Sequence, residues 1–252
     1  MALKYHRSER WIREQIHAYK VTINQRTPRE VVLVMDATFF GKRIDKFGLI
    51  VAKDITTLEP ISYHFIQTEN LAEYSRLKSS ILSQGFKIRS ITIDGKRGLF
   101  SLFADIPVQM CHFHQQAIIT RYLTRKPKLK ASIDLKRITG YLGDVSEQRF
   151  MVLLDSWYTR HKTFLQEKTY NEETGKWHYT HRRIRSAFRS LKSNLPYLFT
   201  YKNHPDLNIP NTTNALDGGL FSPMKMLLKV HRGISIEMKK KLITDYLEKQ
   251  VK

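Results

Sequence analysis

The sequence predicts an α/β fold in which a mixed five-stranded sheet is joined to an all-helical insertion. Three observations lead to this prediction. Val31–Met35 is a continuous apolar run, too short for a helix and rich in β-branched residues, as is typical of a strand buried on both faces. Strand-like and helix-like patterns then alternate up to about residue 125. From about residue 126 to residue 200 the apolar residues recur at helical spacing instead.

Each element of the first half has a local pattern of its own. Phe47–Ala52 and Ile61–Ile66 are predicted as strands that form antiparallel hairpins. Asn70 lies three residues before Glu73 in a capping-box arrangement, so a helix is expected from there to Gly85. The fourth and fifth strands are predicted at Ile88–Ile93 and Val108–Cys111. Three antiparallel strands followed by right-handed crossovers form a ribonuclease H-like fold, with the fourth strand beside the first and the fifth beyond it.

The chain is expected to have four parts. Residues 1–30 form a residual N-terminal helix, and residues 31–125 form the first part of the ribonuclease H-like core. Residues 126–205 form the all-helical insertion, and residues 206–252 form the C-terminal helical part of the core. The polar segment before residue 215 contains two prolines and is predicted as a linker that returns the chain to the core.

The charge and the cysteine content exclude several classes of protein. Lys and Arg number 43 against 23 Asp and Glu, a formal net charge of +20, so a polyanionic partner is predicted. Nucleic acid is the first candidate, and an anionic membrane surface is the second. No apolar stretch approaches the roughly 18–20 residues that cross a bilayer. The single cysteine, Cys111, excludes a disulfide scaffold and predicts a reducing, cytoplasmic compartment.

Two clusters of basic residues are candidates for nucleic-acid contact. Residues 121–137 carry seven Lys and Arg with one acid, and residues 182–192 form an amphipathic helix with no acid. A solvated face usually mixes both signs, so a purely cationic face favours phosphate contact, with simple solvent exposure as the alternative. The residues expected to contact DNA are Arg121, Arg125, Lys126, Lys128, Arg182, Arg185, Arg189 and Lys192. Trp157, Trp177 and Tyr179 are predicted as helical core, with stacking on an unpaired base as the alternative.

Two carboxylates occupy special positions in the predicted sheet. Asp36 follows the first strand and Asp94 follows the fourth, so their side chains are expected at the same edge of the sheet. A metal ion is a favourable partner for two such charges. In the alternative interpretation, Asp36 caps a loop and Asp94 begins a turn before Gly95.

Four motifs, in this order and at this spacing, resemble the catalytic block of DDE transposases of the Mutator superfamily, from bacterial insertion sequences. They are VVLVMDATFFG, ITIDGKRGLF, VQMCHFHQ and the pair NTTNALDGG and HRGIS. The resemblance runs from about Val31 to Tyr246 and includes KWHYTHRRIRSAFRSLKSNLPYLFTY within the insertion. It implies an enzyme of DNA transposition and recombination that performs metal-dependent strand cleavage and strand transfer.

The resemblance also implies the site residues. Asp36 and Asp94 match the first and second catalytic acids, and Asp217 stands where the family usually has Glu. These three would hold two Mg²⁺ or Mn²⁺ ions. Cys111 and His114 match the family's Cys-x-x-His pair, with a buried core pair as the alternative, and no second pair at finger spacing supports zinc. In the alternative for Asp217, it is an acid favoured by the positive end of a helix.

The implied partners are the DNA ends of the element and the target DNA, bound by a homo-oligomer, with no membrane and with a nucleoid location in the bacterial cytoplasm. The 30 residues before Val31 leave no room for the DNA-recognition region that members of the family carry upstream. We therefore expect a catalytic core without that region. The alternative is a truncated, catalytically inactive DNA-binding remnant, and a third class is a ribonuclease H-like nuclease without strand transfer.

Overall fold

The structure, a computed structural model, describes residues 6–231 and 233–251. Residues 1–5 of the predicted N-terminal part and Arg232 of the HRGIS motif lie outside the described residues. The chain divides into two compact units. The first unit comprises Met1–Arg29, Ala37–Phe86 and Ala215–Lys252, and the second comprises Glu30–Asp36 and Lys87–Asn214. The four-part division expected from the sequence stays a prediction.

The strands of the main sheet are β1 Glu30–Phe39, β2 Gly48–Asp54, β3 Pro60–Ile66, β4 Lys87–Ile93 and β5 Val108–Met110. Their order in the sheet is β3-β2-β1-β4-β5. The β2–β3 pair is antiparallel, whereas β1 with β4 and β4 with β5 are parallel. The predicted α/β class is therefore confirmed, and the strand order is compatible with a ribonuclease H-like fold.

Strand β1 is longer than the sequence predicts. The apolar run was expected to end at Met35, but the strand continues to Phe39. Asp36 and Thr38 lie within it and are buried, with 6% and 5% of their surface exposed. Because strand prediction follows apolar residues, two polar side chains ended the predicted strand although the backbone remains extended. Asp36 is therefore an interior residue of the strand and does not end it.

The helices are α1 Glu9–Ala18, α2 Leu71–Ser83, α3 Leu99–Leu102, α4 His112–Leu123, α5 Lys130–Gly140, α6 Glu147–Gln166, α7 Arg182–Leu198, α8 Thr200–Asn203, α9 Asn214–Leu216, α10 Ser222–Val230 and α11 Ile236–Glu248. The predicted boundaries of α2 are confirmed, since Asn70 Oδ1 accepts the Glu73 N–H at 3.1 Å. Gly85 follows that helix with a φ of +83°, a conformation that favours glycine. Over residues 6–231 and 233–251, every helix is too short or too polar to cross a bilayer.

The insertion has a helical core and one β-hairpin. Phe150, Leu154, Leu191 and Phe199 are buried together with Trp157, whose Nε1–H donates to the Ala131 carbonyl at 2.9 Å. The core interpretation of Trp157 is therefore confirmed. The prediction of an all-helical insertion is wrong in one place, because strands β6 Lys168–Asn171 and β7 Lys176–Tyr179 pair antiparallel. Both β6 and the first half of β7 are exposed, so the pattern of apolar residues carries no sign of the hairpin.

One end of α11 is held to the rest of the first unit by Glu248. Its carboxylate is 3.0 Å from Arg26 Nη2, and the two side chains are only 3% and 8% exposed. The Tyr63 hydroxyl donates to Glu248 Oε1 at 2.6 Å, and the Asn24 N–H donates to Oε2 at 2.8 Å. A buried carboxylate with three donors has the hydrogen bonds that a charge needs away from water.

Candidate active site

Asp36 and Asp94 belong to neighbouring parallel strands, since Asp36 lies within β1 and Asp94 directly follows the last residue of β4. Strands β1 and β4 pair in register up to Val34 opposite Thr92. Extended by two residues, this register would place Asp36 opposite Asp94, and neighbouring strands are about 4.8 Å apart. The predicted adjacency of the first and fourth strands is therefore confirmed. Two carboxylates at this spacing are close enough to share a divalent cation, which takes oxygen ligands.

Asp94 also begins the turn that the alternative interpretation predicts. Its Oδ1 accepts the Lys96 N–H at 3.1 Å. Gly95 follows at the next position, where a Cβ would meet the flexible end of the Met110 side chain. This hydrogen bond occupies one of about four lone-pair sites of the carboxylate, so the turn does not by itself prevent Asp94 from coordinating an ion. The two interpretations of Asp94 are therefore compatible.

His114 is brought to the same place by β5 and the first turn of α4. Its Nε2 lies 3.9 Å from Asp36 Oδ2, and the side chains of His114 and Asp36 are 27% and 9% exposed. Hydrogen bonding with Cys111 and the nearby charges of Asp36 and Asp94 outweigh burial and raise the pKa of His114 to about 9. The site therefore pairs its two carboxylates with a histidine that favours the cationic form.

Cys111 connects the end of β5 to the NTTN motif. The Cys111 side chain is buried, and its Sγ accepts the Thr213 N–H at 3.4 Å. Burial raises the pKa of the Cys111 thiol, but hydrogen bonds from His114 and Thr213 outweigh burial, so the pKa lies below its ordinary value. Sequence reasoning assigned no role to Thr213, although it quoted the NTTN motif. The NTTN motif was the sequence signal that could have indicated a role for Thr213.

The segment before Asn214 is attached to the sheet by further hydrogen bonds. The Thr92 hydroxyl donates to the Pro210 carbonyl at 2.6 Å, and the His112 N–H donates to the Asn211 carbonyl at 2.9 Å. The sequence predicted a linker here because the segment is polar and contains prolines. Part of the segment is instead a fixed element beside the ends of β4 and β5.

Asp217 belongs to the first unit and begins a π-helical turn, Asp217–Phe221, which joins α9 to α10. Such turns are rare and often occur at functional sites. Lys53 fixes the backbone two residues before Asp217. Its side chain is buried, and its Nζ donates to the Ala215 carbonyl at 3.1 Å. Burial lowers the pKa of Lys53. The role of Asp217 as the third ligand stays a prediction.

The two carboxylates fit a hard cation that keeps some of its water ligands. In the part of the chain that the structure describes, no group of three or more His, Cys, Asp and Glu side chains is placed to hold a metal ion. Mg²⁺ commonly binds through one or two carboxylates together with water and substrate phosphates. Asp36 and Asp94 satisfy that smaller requirement.

No family model and no curated protein matches the chain. The resemblance to DDE transposases of the Mutator superfamily therefore rests on the motifs, and the function that it implies is argued below as a proposal.

The first basic cluster lies on an exposed surface of the second unit. Arg121 is in α4, and Arg125, Lys126 and Lys128 lie in the connection from α4 to α5, and all four are exposed. Lys136 holds this connection, because its Nζ donates to the Arg125 carbonyl at 2.6 Å. Three exposed cations on a short, supported connection and a fourth at the end of α4 form a basic surface.

The second basic cluster, on α7, contains one residue with a different environment. Arg182, Arg189 and Lys192 are exposed. The Arg185 guanidinium instead lies 3.6 Å from the centre of the Tyr179 ring, and Nη1 donates to the Leu165 carbonyl at 2.8 Å. Arg185 therefore joins the hairpin to the end of α6, and DNA contact by this residue stays a prediction.

Replacing Arg182, Arg189 and Lys192 with glutamine is expected to weaken binding to all DNA sequences alike. Phosphate contacts release counterions without reading bases, so the slope of log affinity against log salt should fall by about 0.9 per lost contact. Fluorescence anisotropy over a salt series measures this slope. The control variant R10Q/R13Q/K20Q removes the same charge from exposed positions on and after α1 and should leave the slope nearly unchanged. An equal slope in the α7 variant and the wild type would assign that face to solvent.

Proposed function

We propose that the protein is a transposase that catalyses metal-dependent DNA strand cleavage and strand transfer. The observation that carries the proposal is the parallel pairing of β1, which contains Asp36, with β4, which Asp94 directly follows. Ligands of open α/β sheets bind at the carboxyl ends of such strands. The order of the motifs supports the same function, since Cys111 and His114 follow the second acid as in the family that the chain resembles.

The residues of the chain would hold the ions and position the DNA. A two-ion site of Mg²⁺ or Mn²⁺, when bound, activates the attacking oxygen and stabilises the leaving oxygen at phosphorus. Asp36 and Asp94 would be ligands, and Asp217 is the third ligand that the resemblance implies. His114 would place a positive charge 3.9 Å from the Asp36 carboxylate. The exposed cations before α5 and on α7 would bind the phosphate backbone. The family that the chain resembles implies a homo-oligomer that holds the element ends and the target DNA.

The test is cleavage of DNA that carries the inverted repeats flanking the gene. We expect strand breaks at the repeat ends with Mg²⁺ or Mn²⁺, no breaks with a chelator, and joined products when a target plasmid is added. Denaturing gels measure the breaks, and sequencing maps the joints. Breaks at random positions without joined products would favour a nuclease that lacks strand transfer.

The second candidate function is a DNA-binding remnant without catalysis. It is favoured by Asp217, because an aspartate carboxylate reaches about 1.5 Å less far than the glutamate usual in the family. A remnant would bind DNA through its basic clusters and cleave none.

Substitution of Asp217 separates the two candidates. Mg²⁺ demands near-ideal bond lengths of about 2.0–2.1 Å, so a shorter ligand should make the wild-type enzyme prefer Mn²⁺. We expect D217E to raise Mg²⁺-supported cleavage or leave it unchanged, and D217A to eliminate cleavage with either ion. The measurement is the initial cleavage rate with each ion. If wild type and D217E are both inert with both ions, even after an end-recognition domain is fused upstream, the protein is a remnant.

A further inference from the structure

The first unit contains a pocket of about 480 Å³ that the proposed mechanism does not use. Three phenylalanines and three lysines contribute to its lining, and they are Phe39, Phe40, Phe47, Lys225, Lys229 and Lys239. None of the six belongs to the predicted catalytic residues or to the two basic clusters. The combination of aromatic rings with ammonium groups is the property that needs an explanation.

The lining of this pocket carries more positive than negative charge. Lys225 and Lys229 are one turn apart on α10 and therefore lie on one face, and Lys239 is on α11. Among the described residues, none of these three lysines has a carboxylate partner, whereas the adjacent Lys240 pairs with Glu237 at 3.2 Å.

Among the described lining residues, Asp45 is the one acid, and its carboxylate stabilises a turn. Its Oδ2 accepts the Lys42 N–H at 2.7 Å and closes the turn after β1. Gly41 is required in that turn, because its φ is +77° and a Cβ there would collide with Asp45 Oδ2. One engaged aspartate does not neutralise three lysines, so the pocket favours an anion.

The aromatic side of the pocket is suited to a flat ring. Phe39, the last residue of β1, lines the pocket and is 44% exposed, so part of its side chain is accessible to a ligand. Phe40 and Phe47 also line the pocket and form a tilted pair with ring centres 5.2 Å apart. Aromatic side chains provide stacking surfaces for bases, and each base stacked is worth about 1–3 kcal/mol. A volume of about 480 Å³ lies within the usual range for small-ligand sites of about 300–1,000 Å³.

We propose that this pocket binds an unpaired nucleotide of a DNA strand, with the base against Phe39 and the phosphates at Lys225, Lys229 and Lys239. A nucleotide is the ligand that combines a stacking ring with negative charge. The faces of bases within a duplex are covered by their neighbours, so an unpaired position is required. The proposal rests on the proposed function only in taking DNA as the partner, since strand cleavage and transfer create DNA ends with unpaired nucleotides.

The test compares a blunt duplex with the same duplex carrying a short unpaired tail. The full chain is titrated against each labelled DNA by anisotropy, in a chelator, so that no cleavage occurs. We expect the tailed DNA to bind about 5- to 100-fold more tightly, from the stacking of one base. F39A should remove this preference and leave affinity for the blunt duplex unchanged. K225Q/K229Q/K239Q should lower affinity for the tail and reduce its salt slope by about 0.7 per lost contact.

Matched controls separate the pocket from general effects. Y141A removes an aromatic ring of similar exposure, 40% against 44% for Phe39, and should keep the preference for the tail. R10Q/R13Q/K20Q removes the same charge as the lysine variant and should keep the preference as well. Thermal melting of each variant reports whether it is folded.

A second measurement on the wild type covers the case in which F39A fails to fold. A photoreactive base in the tail should cross-link to the peptide that contains residues 39–47. Equal binding of blunt and tailed DNA, or cross-links confined to other peptides, would overturn the proposal. Cleavage of element ends without tail binding would leave the proposed function intact, whereas tail binding without cleavage would leave the pocket intact and remove the enzyme.

Discussion

Replacing Asp36 with asparagine is expected to abolish metal-dependent cleavage while DNA affinity stays the same. Asparagine keeps the shape of the side chain but removes the charge that a divalent cation requires. Loss of an outer-shell partner of a metal typically costs about 10–100-fold, so loss of a ligand should exceed that. The measurements are cleavage of repeat-bearing DNA and anisotropy with the same DNA, since the basic clusters supply the affinity.

Two results define what this substitution can reveal. D155N is the matched control, because Asp155 is exposed on α6 and should tolerate the same change without loss of cleavage. The Asp36 carboxylate lies 3.9 Å from the His114 imidazole, so D36N also removes a negative charge beside that ring. If D36N lost DNA affinity together with cleavage, Asp36 would be a structural residue and the proposed site would lose its principal support.

The second large effect concerns stability. Replacing Glu248 with alanine is expected to lower the free energy of unfolding by about 3–5 kcal/mol, because it leaves a buried charge without its partner. Arg26, Tyr63 and Asn24 would all lose an acceptor. Urea unfolding measures the change. The control E14A breaks the exposed pair with Arg10 on α1 and should cost less than about 1 kcal/mol.

The double variant R26M/E248M tests the mechanism of this loss. Replacement of both partners by apolar residues of similar length is often close to neutral, so the double variant should be more stable than E248A. A double variant at least as unstable as E248A would show that the loss comes from packing and from the other hydrogen bonds of Arg26 and Tyr63, and not from the unpaired charge.

Acid should weaken the same network. Burial raises the pKa of Glu248, but hydrogen bonds from Tyr63, Asn24 and Arg26 outweigh it and hold that pKa below its ordinary value near 4.5. A carboxylate with a depressed pKa contributes stability that is present above pH 4.5 and is lost as the pH falls through the folded-state pKa. The loss on acidification should therefore be smaller in E248A than in the wild type.

The sheet could be predicted because its strands combine an apolar core with clear local boundaries. Val31–Met35 is apolar on both faces, which distinguishes a parallel, covered strand from the half-exposed kind, and Ile88–Ile93 is buried except at Arg89. The adjacency of Asp36 and Asp94 followed from strand order alone, since crossover connections are right-handed. The hairpin β6–β7 could not be predicted in this way, because its strands bury too little to create a periodic pattern.

The parts of the site that join distant segments were beyond sequence reasoning. Thr213 bonds to Cys111 across 102 residues of chain, and Thr92 bonds to Pro210 across 118. A polar residue that serves as a hydrogen-bond partner in the folded chain has the same local pattern as one that faces water. The exposure of Phe39 could not be predicted either, because an apolar residue at a strand end is expected to be buried.

The ion pair between Arg26 and Glu248 has a consequence for folding during synthesis on the ribosome. The two residues are 222 positions apart, so at about 5–20 residues per second roughly 10–45 s separate their synthesis. All residues of the second unit have been made by residue 214, whereas the first unit needs Ala215–Lys252. A nascent chain therefore contains all residues of the second unit while the Arg26 guanidinium is still hydrated, because Glu248 has not yet been synthesised.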